Sequence, residues 1–192
     1  MTTYVLISLN VGVYAATSLV GGDVITTSSA VIDQFGQYNA AVLNGEVWRL
    51  LTAMFLHADV VHIFGNMFFL LIFGLRAEEL FRTREYVLIY LLSGLAGGLL
   101  SLLMGPDMNS VGASGAIFGV FGATVIYIRR AVGRSMLAAL MFAMFLLLMN
   151  VGPNVNVLAH VGGLGAGLLM GYLLASAHRR IVTSRYGLTP SD

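Results

Sequence analysis

The sequence predicts an all-α membrane protein of six transmembrane helices, and three observations predict it. Of 192 residues, 58% are hydrophobic and only 10% charged, with a mean hydropathy of +0.87; a soluble domain needs roughly a quarter charged residues to cover its surface. Six stretches approach the ~20 apolar residues that a helix needs to cross a bilayer. The ten basic residues, all arginine, fall between those stretches in a regular alternation.

The first expected span runs from Tyr4 to Val20, weakened by Asn10 and several small residues. Met1 to Gly12 contains no basic segment and no clear small-residue cleavage site, so the segment reads as a retained span. A polar connection follows from Gly21 to Asp59, in which Gly21-Gly22, Thr26-Thr27-Ser28-Ser29 and Asn44-Gly45 read as turns. Its end, Glu46 to Leu51, is amphipathic and carries Trp48, a pattern suited to an interfacial helix. The remaining spans are expected at Val60–Leu75, Tyr86–Met104, Gly112–Ile128, Met136–Val151 and Val157–Ala177, and a short tail occupies 178–192. No strand-like alternation is visible, and residues 1–192 read as a single six-span domain.

Arg76, Arg82 and Arg84 lie between spans two and three, Arg129, Arg130 and Arg134 between four and five, and Arg179, Arg180 and Arg185 after six. A six-span topology puts all nine on one side and leaves only Arg49 on the other. The positive-inside rule makes that side cytoplasmic, with both termini inside and the long first loop outside. The near-balanced total charge of +1 says nothing about acidic or nucleic-acid partners. The absence of cysteine excludes disulfides, thiolate metal sites and cysteine catalysis.

Strongly polar side chains are costly inside a bilayer, so each one within a span is a candidate site residue. Four qualify: His62 and Asn66 in span two, Ser114 in span four and His160 in span six. Each has an ordinary explanation. A serine in a membrane helix is usually a packing residue, His62 or Asn66 alone reads first as interhelical glue, and His160 alone fits a core histidine or a proton relay equally. Together they ask for more. Spans two, four and six all enter from the outer side, and all four residues lie within about two turns of that entrance, so they share one depth. His62 and Asn66, four apart, share a helix face.

A hydroxyl, two imidazoles and a carboxamide at one depth suit acyl transfer. Histidine is the usual base for a serine nucleophile, and amide, imidazole and helix-start N–H groups stabilise an oxyanion. No carboxylate lies within the spans, and Asp59 and Asp107 sit in or beside outer loops, so a dyad is expected instead of a Ser-His-Asp triad. The soluble-hydrolase pattern G-x-S-x-G is not met, because Ala116 occupies its last position. Gly163, Gly167 and Gly171 on span six, with Gly115 and Gly119 on span four, form the small-residue ridges that let helices approach closely. Phe118 stands one turn beyond Ser114. The four methionines of span five, Met136, Met141, Met144 and Met149, read as lipid-facing or gap-filling.

From Glu46 to Gly171 these residues resemble the rhomboid family of intramembrane serine proteases. The resemblance rests on Trp48-Arg49, His62-x-x-x-Asn66, Gly112-Ala113-Ser114-Gly115 and His160-x-x-Gly163-x-x-x-Gly167, in the right order on the right spans. It implies a six-span rhomboid-like bundle in which Ser114 is the nucleophile, His160 its base, and His62, Asn66 and the Ser114 backbone N–H the oxyanion hole. It further implies that Phe118 stacks on His160 and that Trp48-Arg49 belongs to a membrane-embedded first loop. His57 matches a further histidine of the family whose role stays open. One departure is Arg82, where the family places a glycine, which puts the local turn geometry in question but not the active site.

The implied partner is a single-span membrane protein whose helix is unstable and carries small residues near the cut; the bilayer is the other partner, and no nucleic acid is expected. No cofactor or metal is implied, and without cysteine or an intramembrane carboxylate a hydrolytic zinc site is not expected. Two rival readings remain: a catalytically inactive rhomboid-like protein that binds membrane segments, and a small transporter or proton pathway using His62 and His160. The oligomeric state is not readable from the sequence.

Overall fold

The structure, a computed structural model, describes residues 1–132 and 155–186. Helix α1 (Thr2–Gly21) leads into a first loop holding α2 (Ser29–Phe35), β1 (Gln37–Tyr38), α3 (Asn39–Leu43) and α4 (Arg49–Thr52). Then come α5 (Val60–Leu80), α6 (Thr83–Ser101), β2 (Asn109–Ser110), α7 (Ser114–Val132) and α8 (Val157–Tyr186). Four of these are long and apolar enough to cross a membrane: α1, α5, α6 with the 3-10 turn that follows it to Met104, and α8 as far as His178. The expected fifth span, Met136–Val151 with its methionines, and Arg134 lie outside the described residues.

Helix α7 reaches 19 residues and ends in Arg129-Arg130. It is the most enclosed of the long helices. It packs against α5, α6 and α8, and Val120 and Ala123, with Ala113 just before it, expose no surface. Several expected boundaries shift for one reason. Hydropathy marks where a chain is apolar, whereas a helix continues for as long as its backbone hydrogen bonds do. Thus α5 runs past Leu75 to Leu80, burying Ala77 completely, and α8 runs past Ala177. In the other direction, Gly112 lies outside span four, in a loop at φ +124°, and the helix begins two residues later.

Asn10 does not break α1. Its amide nitrogen donates to the Leu6 carbonyl at 2.8 Å and to the Tyr90 hydroxyl at 3.2 Å, which places both amide hydrogens and links α1 to α6. At the α5–α6 turn, Phe81 and Arg82 are extended with negative φ, and the Arg82 N–H donates to Glu85 at 2.8 Å. This turn requires no left-handed residue, which is why arginine is tolerated there.

The first loop is more ordered than its turn signals suggest. Gly22 and Gly45 do adopt positive φ, at 71° and 105°. But Thr27 N–H donates to the Ala58 carbonyl at 2.8 Å, Val60 N–H to Ile25 at 2.9 Å, and Ser28 caps α2. Buried Arg49 pairs with Glu46 at 2.6 Å and donates to the carbonyls of Asp33 and Gly36. Gln37 donates to the Gly98 carbonyl and Asn39 to those of Ser101 and Gly105, which fastens the loop to the end of α6. The expected interfacial helix over Glu46–Leu51 is confined to Arg49–Thr52, leaving Trp48 and Leu51 exposed. No strand was expected, yet Gln37 pairs antiparallel with Ser110 and Tyr38 with Asn109. Two residues are too few for alternation to show in a sequence.

The tightest packing lies between α7 and α8, which run parallel. A Cβ added at Gly163, Gly167 or Gly171 would collide with the backbone carbonyl of Gly115, Gly119 or Ala123 respectively. We expect Gly167→Leu to lower the unfolding free energy in mixed micelles by about 2 kcal/mol or more, the usual scale of overpacking. A denaturant titration with equal slopes for variant and parent checks this.

Candidate active site

The first turns of α5, α7 and α8 meet at one end of the bundle, beneath the first loop. Asp59 caps α5 by accepting the His62 N–H at 2.7 Å, so the helix starts just ahead of His62 and turns both His62 and, four residues on, Asn66 inward. Asn156 performs the same service for α8: its carboxamide oxygen accepts the Ala159 N–H at 2.9 Å, one residue before His160. The Asn156 amide donates to the hydroxyls of Ser101 and Ser110, tying this helix start to α6 and β2. Ser114 opens α7 immediately after the Gly112 loop.

Ser114 Oγ lies 2.8 Å from His160 Nε2. This is hydrogen-bonding distance for a nucleophile and its base. The Phe118 ring stacks on the His160 ring, 4.7 Å between centroids and 26° from parallel. His160 is buried, and among the described residues nothing bonds its Nδ1. Asp59 bonds at its helix cap, and among the described residues no carboxylate reaches His160 Nδ1.

Gly112 is where the remaining polar groups converge. A Cβ at this position would lie 2.8 Å from His62 Nε2 and 3.6 Å from Asn66 Nδ2, and its φ of +124° disfavours any other residue. The bare backbone therefore lets an imidazole and a carboxamide come close to the chain two residues before Ser114. Asn66 spends one amide hydrogen on the His62 carbonyl at 3.2 Å and keeps the other. All of these residues line one cavity of about 850 Å³, which also reaches Gln37, Asn109 and Asn156. A polar, roomy cavity of this kind admits water to groups otherwise enclosed by apolar helices.

The four residues expected to share a depth are thus brought together with Gly112 and Phe118. Three contributors were not anticipated: Asn156 and Asp59 as caps, and His57 as a packing partner. His57 has no exposed surface and stands edge-on to His62, 5.2 Å between ring centroids. The caps were recoverable from Asn or Asp preceding an apolar run by a few residues. The His57 contact was not, because nothing local says which way a loop histidine turns.

Burial first, and the neighbouring imidazole of His62 second, push the His57 pKa down from its ordinary 6.5 to about 3. The unfolded chain takes up this proton below about pH 6.5, while the folded chain does so only near 3. His57 therefore favours the folded state fully above pH 6.5 and progressively less as the pH falls toward 3, with a slope of at most about 1.4 kcal/mol per unit. Unfolding titrations at pH 7 and pH 5 should differ less in His57→Phe than in the parent.

The family model described as Rhomboid domain matches residues 44–177. The chain is 39% identical over 155 residues to RHOMBOID-like protein 6, mitochondrial, of Arabidopsis thaliana, covering 77% of this chain and 50% of that one. It is 34% identical over 174 residues to RHOMBOID-like protein 2 of the same plant, covering 83% and 51%. With Rhomboid-like protease 3 of Toxoplasma gondii it shares 33% over 141 residues, covering 69% and 54%. The chain spans about half the length of these relatives.

Proposed function

The chain belongs to the rhomboid family, and from that premise we propose that it is an intramembrane serine endopeptidase with Ser114 as nucleophile and His160 as base. The 2.8 Å contact between Ser114 Oγ and His160 Nε2 carries the reading. It joins two spans that are 46 residues apart in sequence, at a depth where an unpaired polar pair is costly.

The reaction begins with transfer of the Ser114 hydroxyl proton to His160 Nε2 as Oγ attacks the scissile carbonyl carbon. Negative charge collects on the carbonyl oxygen, where His62, the free amide hydrogen of Asn66 and the Ser114 backbone N–H donate to it. As first residue of its helix, Ser114 has no helical carbonyl four residues back to occupy that N–H. His160 then gives its proton to the departing amine, breaking the C–N bond and leaving an ester on Ser114. Water from the cavity, deprotonated by His160, cleaves the ester and restores the hydroxyl. Phe118, stacked on the imidazole, takes the orienting part that a carboxylate plays in a triad.

The substrate is a transmembrane segment of another protein. A helix shields its peptide bonds with its own hydrogen bonds, so an unstable helix with small residues near the cut is the class that opens into the cavity. This reading takes the six-span topology expected from the sequence, in which the site lies near the outer face and the arginine-rich helix ends and both termini lie on the cytoplasmic side; the distribution of the arginines supports it. The inactive-homologue reading is disfavoured by the presence of both Ser114 and His160.

Ser114→Ala and His160→Ala should fold yet leave a reporter transmembrane substrate uncut, and Ser114 should be the residue modified by a serine-directed reagent. Cutting by Ser114→Ala at the parent rate rejects the proposal. Asn66→Ala should retain the fold and slow turnover, the loss of one oxyanion donor being worth up to about 3–4 kcal/mol in the barrier.

A further inference from the structure

The seam between α7 and α8 is built from a repeat, and a repeat does not choose its own register. Small residues recur every four positions on α8, at Ala159, Gly163, Gly167, Gly171 and Ala175, and on α7 at Gly115, Gly119 and Ala123. Gly163, Gly167 and Gly171 face the carbonyls of Gly115, Gly119 and Ala123. A slip of four residues, about 6 Å along the axis, would set Ala159, Gly163 and Gly167 against the same three. Small residues would again meet small ones. Dispersion contacts along such ridges set the separation of two helices and give little direction along them. Catalysis tolerates no such slip, since a misplacement of about 1 Å can cost ~100-fold in rate.

Directional bonds are therefore needed, and one set stands at the far end of the seam. The Tyr127 hydroxyl on α7 lies 2.9 Å from Nδ1 of His178 on α8. His178 Nε2 lies 3.0 Å from a carboxylate oxygen of Glu85 on α6, and the other oxygen of Glu85 accepts the Arg82 N–H. An ionised carboxylate only accepts, so Nε2 carries the hydrogen and Nδ1 accepts from the tyrosine. All members of the chain are then satisfied at once. The side chains of His178 and Glu85 keep only 22% and 17% of their exposure. His178 is 18 residues, about 27 Å, along α8 from His160, and Tyr127 is 13 residues, about 20 Å, along α7 from Ser114.

We propose that His178, held between Tyr127 and Glu85, is a positioning residue for the catalytic pair: from the opposite end of the bundle it fixes the register of α8 against α7, and so places His160 on Ser114. Ties at both ends remove sliding and rotation together, whereas the bonds at the start of α8, Ser114–His160 and those of Asn156 to Ser101 and Ser110, leave its far end free to swing. The proposal rests on the catalytic reading of that pair.

His178→Ala should lower both the rate of Ser114 modification by a serine-directed reagent and kcat per modifiable molecule by about tenfold, with KM unchanged, within the range that small misplacements cause. His178→Gln, whose amide can donate to Glu85 and accept from Tyr127, should recover most of that loss. A purely structural role would reduce the folded fraction and leave both rates per folded molecule intact. Because the chain has no cysteine, spin labels at Arg129→Cys and Leu173→Cys report register directly. The parent should give one distance, and His178→Ala a broadened distribution or a second, shorter-distance population. Unchanged rates, failure of glutamine to restore them, or an unchanged distance distribution each overturns the proposal. If His178→Ala does not fold, Tyr127→Phe and Glu85→Gln, which each remove one link, are judged by the same rates and distances. A parent protein that neither cleaves nor is modified rejects the catalytic reading, while the distances still decide whether His178 sets the register.

Discussion

The closeness of two backbones governs the centre of this molecule. Where Gly163, Gly167 and Gly171 of α8 lie on Gly115, Gly119 and Ala123 of α7, no room remains for a side chain. A serine hydroxyl and an imidazole are short reaches from the chain, so they can bond at 2.8 Å only if their helices are nearly in contact. Glycine serves here by being absent beyond Cα. In a bilayer, where lipid is as apolar as leucine, burying larger side chains would gain little, and close packing is the main attraction left.

Polar groups in the same region are handled by satisfaction in place of avoidance. The first loop hangs from α6 through Gln37 and Asn39, and its own fold is held by Arg49 against Glu46 and two carbonyls. Asn10 reaches Tyr90, and Asn156 caps α8 while bonding two serines. Each bond lowers the cost of burying a polar group and adds a direction that apolar contact lacks. The helix starts that carry His62 and His160 are fixed by such bonds, through Asp59 and Asn156.

The end of the bundle beneath the loop holds a cavity with polar walls, and the helices below it are packed. The cavity lined by Ser114, His160, His62 and Asn66 is shallow in the bundle, at the first turns of three helices whose later turns are packed with Ala123, Val120 and Leu70. The proposed hydrolysis needs water and a desolvated Ser114–His160 pair together, and a cavity at a helix start suits both. The free N–H groups there are the natural donors for an oxyanion.

Much of this was written in the chain. Apolar composition named the solvent, and the cost of polar groups in a span singled out His62, Asn66, Ser114 and His160, because that cost depends on residue type and local surroundings alone. The glycine spacing announced close packing for the same reason. What tertiary structure decided was everything set by partners remote in sequence. It decided that the Asn10 amide meets Tyr90, that α7 is enclosed by α5, α6 and α8, and that Gln37 meets Ser110. It decided that His57 turns toward His62 and that His178 falls between Tyr127 and Glu85. Periodicity states which face of a helix is small; only three-dimensional closure, with bonds that have direction, states which residue on the neighbouring helix that face will meet.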